Sequence, residues 1–510
     1  MTVLSTHQSR TSLPVFIARH PAAVFLLVVA SQFVVWTALP SLFYRALPLD
    51  GVEALIYGRE WQLGYVKLPP LPWWAAEAVY RILPYDAAYY ALSQTFIAIT
   101  LAIVWWTSQR IVGPLGALAS ILIICGFDYF HSASTSFNHD VAQLPFWALA
   151  GYALHAALRG GRHRDWALLG AALGGAVWAK YFVVVLTVPI VLFVLLDRDA
   201  RQNVKKPGSW IALAAGFIVV LPHLIWLIQH NFAPFDYVDR RAAPSRGFFD
   251  HIVRPAQFLV GQLGYLILPV LIAAALVYFS RRQRPAAFSE TGNSGKIDSF
   301  DRRIVTLLAF GPALTMVALT AVTGRGTIAL WGYPLWLYLG LWLVMLYRDG
   351  LSPISLAWMT RFWAAVLIGS ALLILVFKSG VLGLSYVRRS HEFPGPALAA
   401  EINRQYRAVT GREPAYVIGP QIEAGNISRY TPSRPRVVID ADFRSAPWID
   451  RADLKAKGTI LIWNPNDEGK MPAHLAQIAN GAPQQPPIVI PVANGRFKFY
   501  FAWAIVPPSE

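Results

Sequence analysis

The sequence predicts an α-helical polytopic membrane protein with a small C-terminal α/β extramembrane domain. Three observations carry this. Of 510 residues, 55% are hydrophobic and only 14% charged, against roughly 25% charged in a soluble domain. Apolar runs of bilayer length recur through the first three quarters of the chain. The remainder changes character: Glu, Asp, Asn and Pro return and apolar runs shrink to strand length. A mean hydropathy of +0.44 and 19 Trp, 21 Tyr and 28 Phe suit aromatic membrane interfaces. Together these exclude a soluble enzyme, a disordered chain and a disulfide scaffold. The single cysteine, Cys125, sits in an apolar run and has no partner for an intrachain disulfide. A net charge of +16 in a soluble protein would suggest nucleic acid. Here it is read as cytoplasmic loops and contact with membrane lipids, with no nucleic-acid partner.

The first apolar run, about 16–39, is too long for a signal-peptide core and lacks a small-residue cleavage site, so it is read as a span. Runs near the ~20 residues that cross a bilayer follow at about 87–107, 111–127, 141–158, 166–179, 181–196, 210–229, 257–279, 304–323, 328–347 and 362–378, giving about 11 spans in all. The stretch 166–196 is the hardest to divide, because only Lys180 separates its halves. Loop charge favours a break there. With the N-terminus inside, the cytoplasmic segments collect Arg10, Arg19, Arg110, Arg159, Arg162, Arg164, the basic run 198–206, the basic loop Arg281–Arg303 and Arg348. An odd span count then puts the tail outside. The expected division is a transmembrane module, 1–380, with a first outside loop, 40–86, and a periplasmic α/β domain, 381–510. In the tail, strands are expected at 415–418, 436–439, 459–463, 487–490 and 497–505, with helices at about 395–409, 421–430 and 470–479.

Two outside loops break the charge rule. Loop 40–86 holds Arg45, Arg59, Lys67 and Arg81, and loop 230–256 holds Arg240, Arg241, Arg246 and Arg254. Dense outside cations suit either phospholipid headgroups or a lipid-phosphate site. Asp50, between Pro48 and Gly51 with Leu49 before it, suits the N-cap of a helix starting near Gly51. Glu53 then falls in the first turn, and the amphipathic 51–62 helix is expected to lie on the membrane surface. A second short helix should start at Pro69-Pro70 and run to about Leu83. Asp50 and Glu53 are either a capping pair or a carboxylate that works as a general base on an acceptor hydroxyl. Lys67 alone reads as a snorkelling lysine. Asp140 follows Asn138-His139 at a helix N-terminus, where a carboxylate is favoured by the dipole. Lys180, in Trp178-Ala179-Lys180-Tyr181, is a cation between two apolar segments, which marks a functional position.

In order, Gly64-Tyr65-Val66-Lys67-Leu68-Pro69-Pro70-Leu71, Asn138-His139-Asp140 with Leu144-Pro145-Phe146-Trp147, Gly170 and Gly174, Lys180-Tyr181, Pro222-His223-Leu224-Ile225-Trp226, Asn231, Gly261-Gln262 and Gly311-Pro312 form a pattern. It resembles the polyprenol-phosphate-sugar-dependent glycosyltransferases of the GT-C superfamily. The likeness is to the bacterial branch related to protein O-mannosyltransferases and the lipid A aminoarabinose transferase, over roughly residues 15–450. Leu68 stands where many relatives have His, and Gly324-Arg325-Gly326-Thr327 departs from the Lys-containing turn expected there.

The resemblance implies a GT-C-type membrane fold. It implies a transferase that moves a sugar from a polyprenyl-phosphate-linked donor to an acceptor lipid or glycan of the envelope, in the bacterial inner membrane. Carried over by position, Glu53 or Asp50 is the first-loop acid, with Glu53 the first choice as base, and Asp140 is the second-loop acid. Lys67 and Lys180 are phosphate-facing cations, with Arg240 and Arg241 completing one basic surface. Tyr65, Asn138, His139 and Tyr181 are candidates for substrate contact. No cofactor is established, and a divalent cation held by Asp50 and Asp140 is left open. The chain lacks a P-loop, a Rossmann glycine fingerprint and an HExxH motif. The rival readings are a lipid-linked sugar flippase or transporter, and a non-catalytic scaffold. Against a transporter, the ionisable groups cluster at the outer boundary rather than deep in two related halves.

Overall fold

The computed structural model describes residues 12–282, 297–379, 393–465, 470–492 and 497–509. The loop expected at Arg281–Arg303 and the domain boundary near 380 lie largely outside them.

Helices occupy most of the first 379 residues: α1 (Leu13–Arg19), α2 (Pro21–Phe43), α3 (Leu49–Gly58), α4 (Leu71–Ile82), α5 (Asp86–Ile124), α6 (His139–Gly160), α7 (His163–Ala179), α8 (Val184–Leu196), α9 (Pro207–Gln229), α10 (Ala233–Arg241), α11 (Asp250–Arg282), α12 (Ser299–Thr323), α13 (Leu339–Leu346) and α14 (Pro353–Ser379). Proline opens α2, α9 and α14, where its missing N–H costs nothing. Among the described residues, 7 helices are long and apolar enough to cross a membrane: α2, α5, α6, α9, α11, α12 and the Pro353–Phe377 part of α14. Their exposed Leu, Ile, Val and Phe side chains, such as Leu213, Phe217 and Ile218 on α9, suit a lipid-facing surface.

Two of the expected breaks have visible causes. Within α5, Gly113 takes φ 73° ahead of Pro114, a backbone state open to glycine that leaves two helical segments meeting at a kink. Lys180 is extended (φ −166°, ψ 134°) and ends α7 before a short 3-10 turn, Tyr181–Val183, leads into α8. The α7–α9 contact is close because Gly170 faces the α9 backbone: a Cβ there would come 1.9 Å from the Ala212 carbonyl oxygen, the small-residue packing of membrane helices. The run 328–347 differs from the single span expected. It begins as a 3-10 turn, Ala329–Gly332, continues through turns around Pro334 and ends in the 8-residue α13. At 1.5 Å per residue α13 reaches only ~12 Å.

The tail adds α15 (Gly395–Thr410), β1 (Tyr416–Gly419), α16 (Gln421–Tyr430), β2 (Arg436–Ile439), α17 (Arg451–Lys457), β3 (Thr459–Trp463), α18 (Ala473–Ala479), β4 (Ile488–Val492) and β5 (Phe497–Val506). The sheet order is β2-β1-β3-β5-β4. β1 pairs in parallel with β2 and β3, and β5 pairs antiparallel with β3 and β4. The buried runs of β1 and β3 belong to a sheet covered on both faces.

This domain is bolted to the loop 40–86 that follows α2. Arg434 makes a two-pronged pair with the fully buried Glu77 (3.0 and 2.9 Å). Arg436 pairs with Glu60, and Arg429 with Asp86. Tyr80 lies against both Arg429 and Arg434, 5.0 and 4.5 Å from its ring centre. Glu77 keeps a second cation, Arg81, at 2.8 Å. Arg434→Ala is therefore expected to destabilise the chain by about 2 kcal/mol, the scale of a lost charged hydrogen-bond pair, and to quicken proteolytic release of the tail. Limited proteolysis of the purified protein measures this; unchanged cleavage would mean that the clamp is ornamental.

Candidate functional site

The site is built from three loops that meet under the tail. The first contribution is α3. Pro48, not Asp50, stands at its N-cap and Leu49 begins it, which corrects the expected start. Asp50 falls at the second helical position and makes no capping bond. Its Oδ2 instead accepts hydrogen bonds from Asn138 Nδ2 (2.8 Å) and Ser136 Oγ (3.1 Å). Asn138 is fixed in turn, because its Oδ1 caps α6 by accepting from the Asp140 and Val141 amides (2.9 and 3.2 Å). The expectation of an α3 lying on the membrane surface is also corrected. Gly51 through Gly58 are all buried, since α4 packs on one side and α16 on another. Gly425 of α16 comes so close that a Cβ would meet Val52 at 2.3 Å.

Glu53 points inward, 5% exposed, and accepts from Lys67 Nζ. Burial pulls the Lys67 ammonium down, but the Glu53 carboxylate against it outweighs this and holds its pKa above the ordinary value. Lys67 therefore stays charged. It also lies 5.5 Å from the ring centre of Tyr237 on α10. Tyr65, expected to touch substrate, is wholly buried. Its hydroxyl donates to the Tyr57 carbonyl (2.7 Å) and accepts from the Gln62 amide (3.2 Å), and its ring packs edge-on against Tyr57, Trp73 and Trp448. It is a strut of the loop, with no surface left for a ligand.

The second and third loops supply another acid–base pair. Lys180 Nζ donates to Asp140 Oδ1 at 2.5 Å, and Gln143 Nε2 adds a bond to the same oxygen at 3.2 Å. The extended backbone at Lys180 is what turns its side chain toward α6. His139 is buried between the two lysines, with Nε2 3.0 Å from the Pro69 carbonyl oxygen and its ring edge-on to Trp73. It joins the loops rather than facing an open space. Tyr181 is tied to His223 (hydroxyl to Nε2, 2.9 Å), and His223 Nδ1 reaches the Leu63 carbonyl oxygen at 2.7 Å. This chain links α9 to the turn that presents Lys67.

α10 carries Arg240 and Arg241. The side chain of Arg240 lies outside those described, and Arg241 is exposed. Arg325, in the turn that departs from the family pattern, reaches back to α10. It donates to the Asp239 and Ala242 carbonyl oxygens (3.0 and 3.2 Å) and pairs with the Asp239 carboxylate. The sequence reading missed this anchor, as it missed Ser136, Glu77 and Tyr237. Only Arg325 left a signal, as a cation between two glycines.

Asp50, Glu53, Lys67, Asn138, His139, Asp140 and Lys180 thus converge. The two lysines do not form an open basic surface, because each is matched by its own carboxylate. Asp50 has no cation on it among the described residues. Nor do the carboxylates gather as metal ligands: among the described residues no group of three or more His, Cys, Asp or Glu side chains is placed to hold an ion. Asp50 is engaged through Oδ2 with Ser136 and Asn138, and Asp140 through Oδ1 with Lys180 and Gln143.

Comparison with known proteins bears on this arrangement. Residues 67–226, which contain Lys67, the Asn138–Asp140 segment and Lys180, match the family described as dolichyl-phosphate-mannose-protein mannosyltransferase. The lipopolysaccharide core galacturonosyltransferase RgtA of Rhizobium johnstonii is 26% identical over 86% of this chain and 85% of its own. RgtB of the same organism, described by the same activity, is 21% identical over 94% and 97%. Among solved structures, ArnT from Cupriavidus metallidurans bound to undecaprenyl phosphate superposes with a TM-score of 0.57 at 16% identity, covering 94% of this chain and 97% of that one. Its apo form gives 0.59 at 15% identity, over 95% and 98%. The relatives are transferases, and the flippase alternative finds no support among them. The chain has the fold of ArnT and is similar over most of its length to lipopolysaccharide core galacturonosyltransferases, with a protein-mannosyltransferase family match over residues 67–226.

Proposed function

We propose that this protein moves a sugar, a uronic acid being the first candidate, from a polyprenyl-phosphate donor to a lipopolysaccharide or lipid A glycan on the outer face of the bacterial inner membrane. The observation that carries the reading is the convergence of Asp50, the Glu53–Lys67 pair and the Asp140–Lys180 pair from three loops beneath one extramembrane domain. The names of RgtA and RgtB support the sugar and acceptor, and the ligand of ArnT supports the carrier lipid.

A single displacement with inversion accounts for the residues present. Asp50 accepts the proton of the acceptor hydroxyl. Ser136 and Asn138 hold one of its oxygens and thereby aim the other. The acceptor oxygen attacks the anomeric carbon, and the carbon–oxygen bond to the polyprenyl phosphate breaks. Charge grows on the departing phosphate, and a cation in a low-dielectric setting stabilises it best there. Lys67 and Lys180 fill that role, each exchanging part of its carboxylate contact for phosphate oxygen. Glu53 moves from first choice as base to keeper of Lys67, since its Oε1 meets the ammonium and its charge is matched there, whereas Asp50 is bound by neutral groups.

Purified protein given polyprenyl-phosphate galacturonic acid and lipopolysaccharide should yield acceptor heavier by one uronic acid residue, read by mass spectrometry. Failure with this and other polyprenyl-phosphate sugars, across several acceptors, would overturn the assignment. In the orientation proposed, the N-terminus is cytoplasmic and the tail periplasmic. Reporter fusions at Ser280 and Pro508 should then be active on opposite sides; the same side for both would refute it.

A further inference from the structure

The membrane module has a second charged feature, far from the Asp50 cluster. α11 is 33 residues long, roughly 48 Å at 1.5 Å per residue. Its Asp250 end lies beside the turn that holds α10, where Arg254 approaches Gly326. Its other end carries Arg281 and Arg282. Between α11 and α13, near that far end, is a cavity of about 520 Å³. Val270, Ala274, Val277 and Leu343 give it apolar walls, and Arg281 and Arg282 close one end. Among the described residues neither arginine has an acidic partner, and no carboxylate lines the cavity. Arg282 is held in place by stacking on Tyr278, its guanidinium 4.4 Å from the ring centre.

We infer that this groove binds one anionic phospholipid, its phosphate between Arg281 and Arg282 and an acyl chain along Val270–Val277. An apolar trough inside a membrane helix pair is filled by a lipid tail at no cost in hydration. Two guanidiniums without an acidic partner among the described residues, at its mouth, select an anionic headgroup over a zwitterionic one, as basic pockets at membrane helix ends do. The alternative for these arginines, a favourable interaction with the C-terminus of α11, explains their position. It does not explain a cavity with an apolar floor directly below them. The site is at the opposite end of the membrane module from the transfer chemistry, so it stands or falls independently of the reaction.

The test is native mass spectrometry of the full-length protein released from micelles holding equal phosphatidylglycerol, phosphatidylcholine and polyprenyl phosphate. Wild type should keep one phosphatidylglycerol. Arg281→Gln/Arg282→Gln should keep at least tenfold less, and Arg361→Gln, on the exposed face of α14, as much as wild type. Ala274→Trp, which fills the trough without changing charge, should also lose the adduct, and it serves alone if the double variant does not purify as a single species. Equal retention of phosphatidylcholine, unchanged retention in the variants that purify, or loss of retained polyprenyl phosphate rather than phosphatidylglycerol in those variants would each overturn the proposal.

Discussion

Asp50→Asn should lower turnover on the order of 10²–10⁴, the range for loss of a positioned general base, with donor binding nearly unchanged. The asparagine keeps the size of the side chain and its oxygen still accepts from Asn138, but it cannot take a proton. Because Asp50 makes no capping bond, the fold should tolerate the change, and the melting temperature distinguishes this from a structural role. Glu53→Gln gives the contrasting result. Its amide oxygen still meets Lys67, so turnover at saturating donor should fall less than with Asp50→Asn, while the donor KM shifts. Single-turnover transfer of a labelled sugar measures both. If Glu53→Gln loses the larger factor, the base is Glu53 and the order argued from the ion pair is wrong.

Lys67→Ala should damage both stability and donor binding, and the two effects are separable. Glu53 is 5% exposed, so removing its partner leaves a buried carboxylate without a counter-ion, at a cost of about 3 kcal/mol. The double variant Glu53→Leu/Lys67→Met replaces the pair with apolar groups of similar volume and should recover most of that loss. It should not recover binding of polyprenyl phosphate, because the cation is gone. Thermal unfolding and lipid-binding assays on the three variants read the two quantities. Recovery of binding in the double variant would show that Lys67 never faced the phosphate.

Much of the architecture is legible in the sequence because it depends on local signals. The strands of the tail follow from short apolar runs bounded by polar and proline residues, and each observed strand lies within two residues of the expected one. The break at Lys180 follows from loop charge and is realised as an extended residue between α7 and α8. What the sequence hid is long-range. Nothing near Gly51–Gly58 says that α16, over 360 residues later, will cover a helix whose pattern suits a membrane surface. Nor does a local pattern show that Glu53 will hold Lys67, or that Asp140 will hold Lys180. Each of these four was named as a functional residue, but their pairing, which turns an open basic patch into two neutralised couples, is a property of the folded loops. Leu49 begins α3 two residues earlier than the capping rule suggests, which leaves Asp50 inside the first turn, where it faces Ser136 and Asn138.

The clamp between tail and loop also sets a timetable. Glu77 and Arg434 are 357 residues apart in the chain, Glu60 and Arg436 376, and Asp86 and Arg429 343. At translation rates of ~5–20 residues per second, the loop leaves the ribosome on the order of 20–70 s before the arginines that finish it. Through that interval the loop lacks its cover, and Glu77 has only Arg81. A newly made chain therefore lacks a completed first loop until the arginines of its tail have folded onto it. Products truncated before Arg429 should accordingly be inert toward the proposed donor.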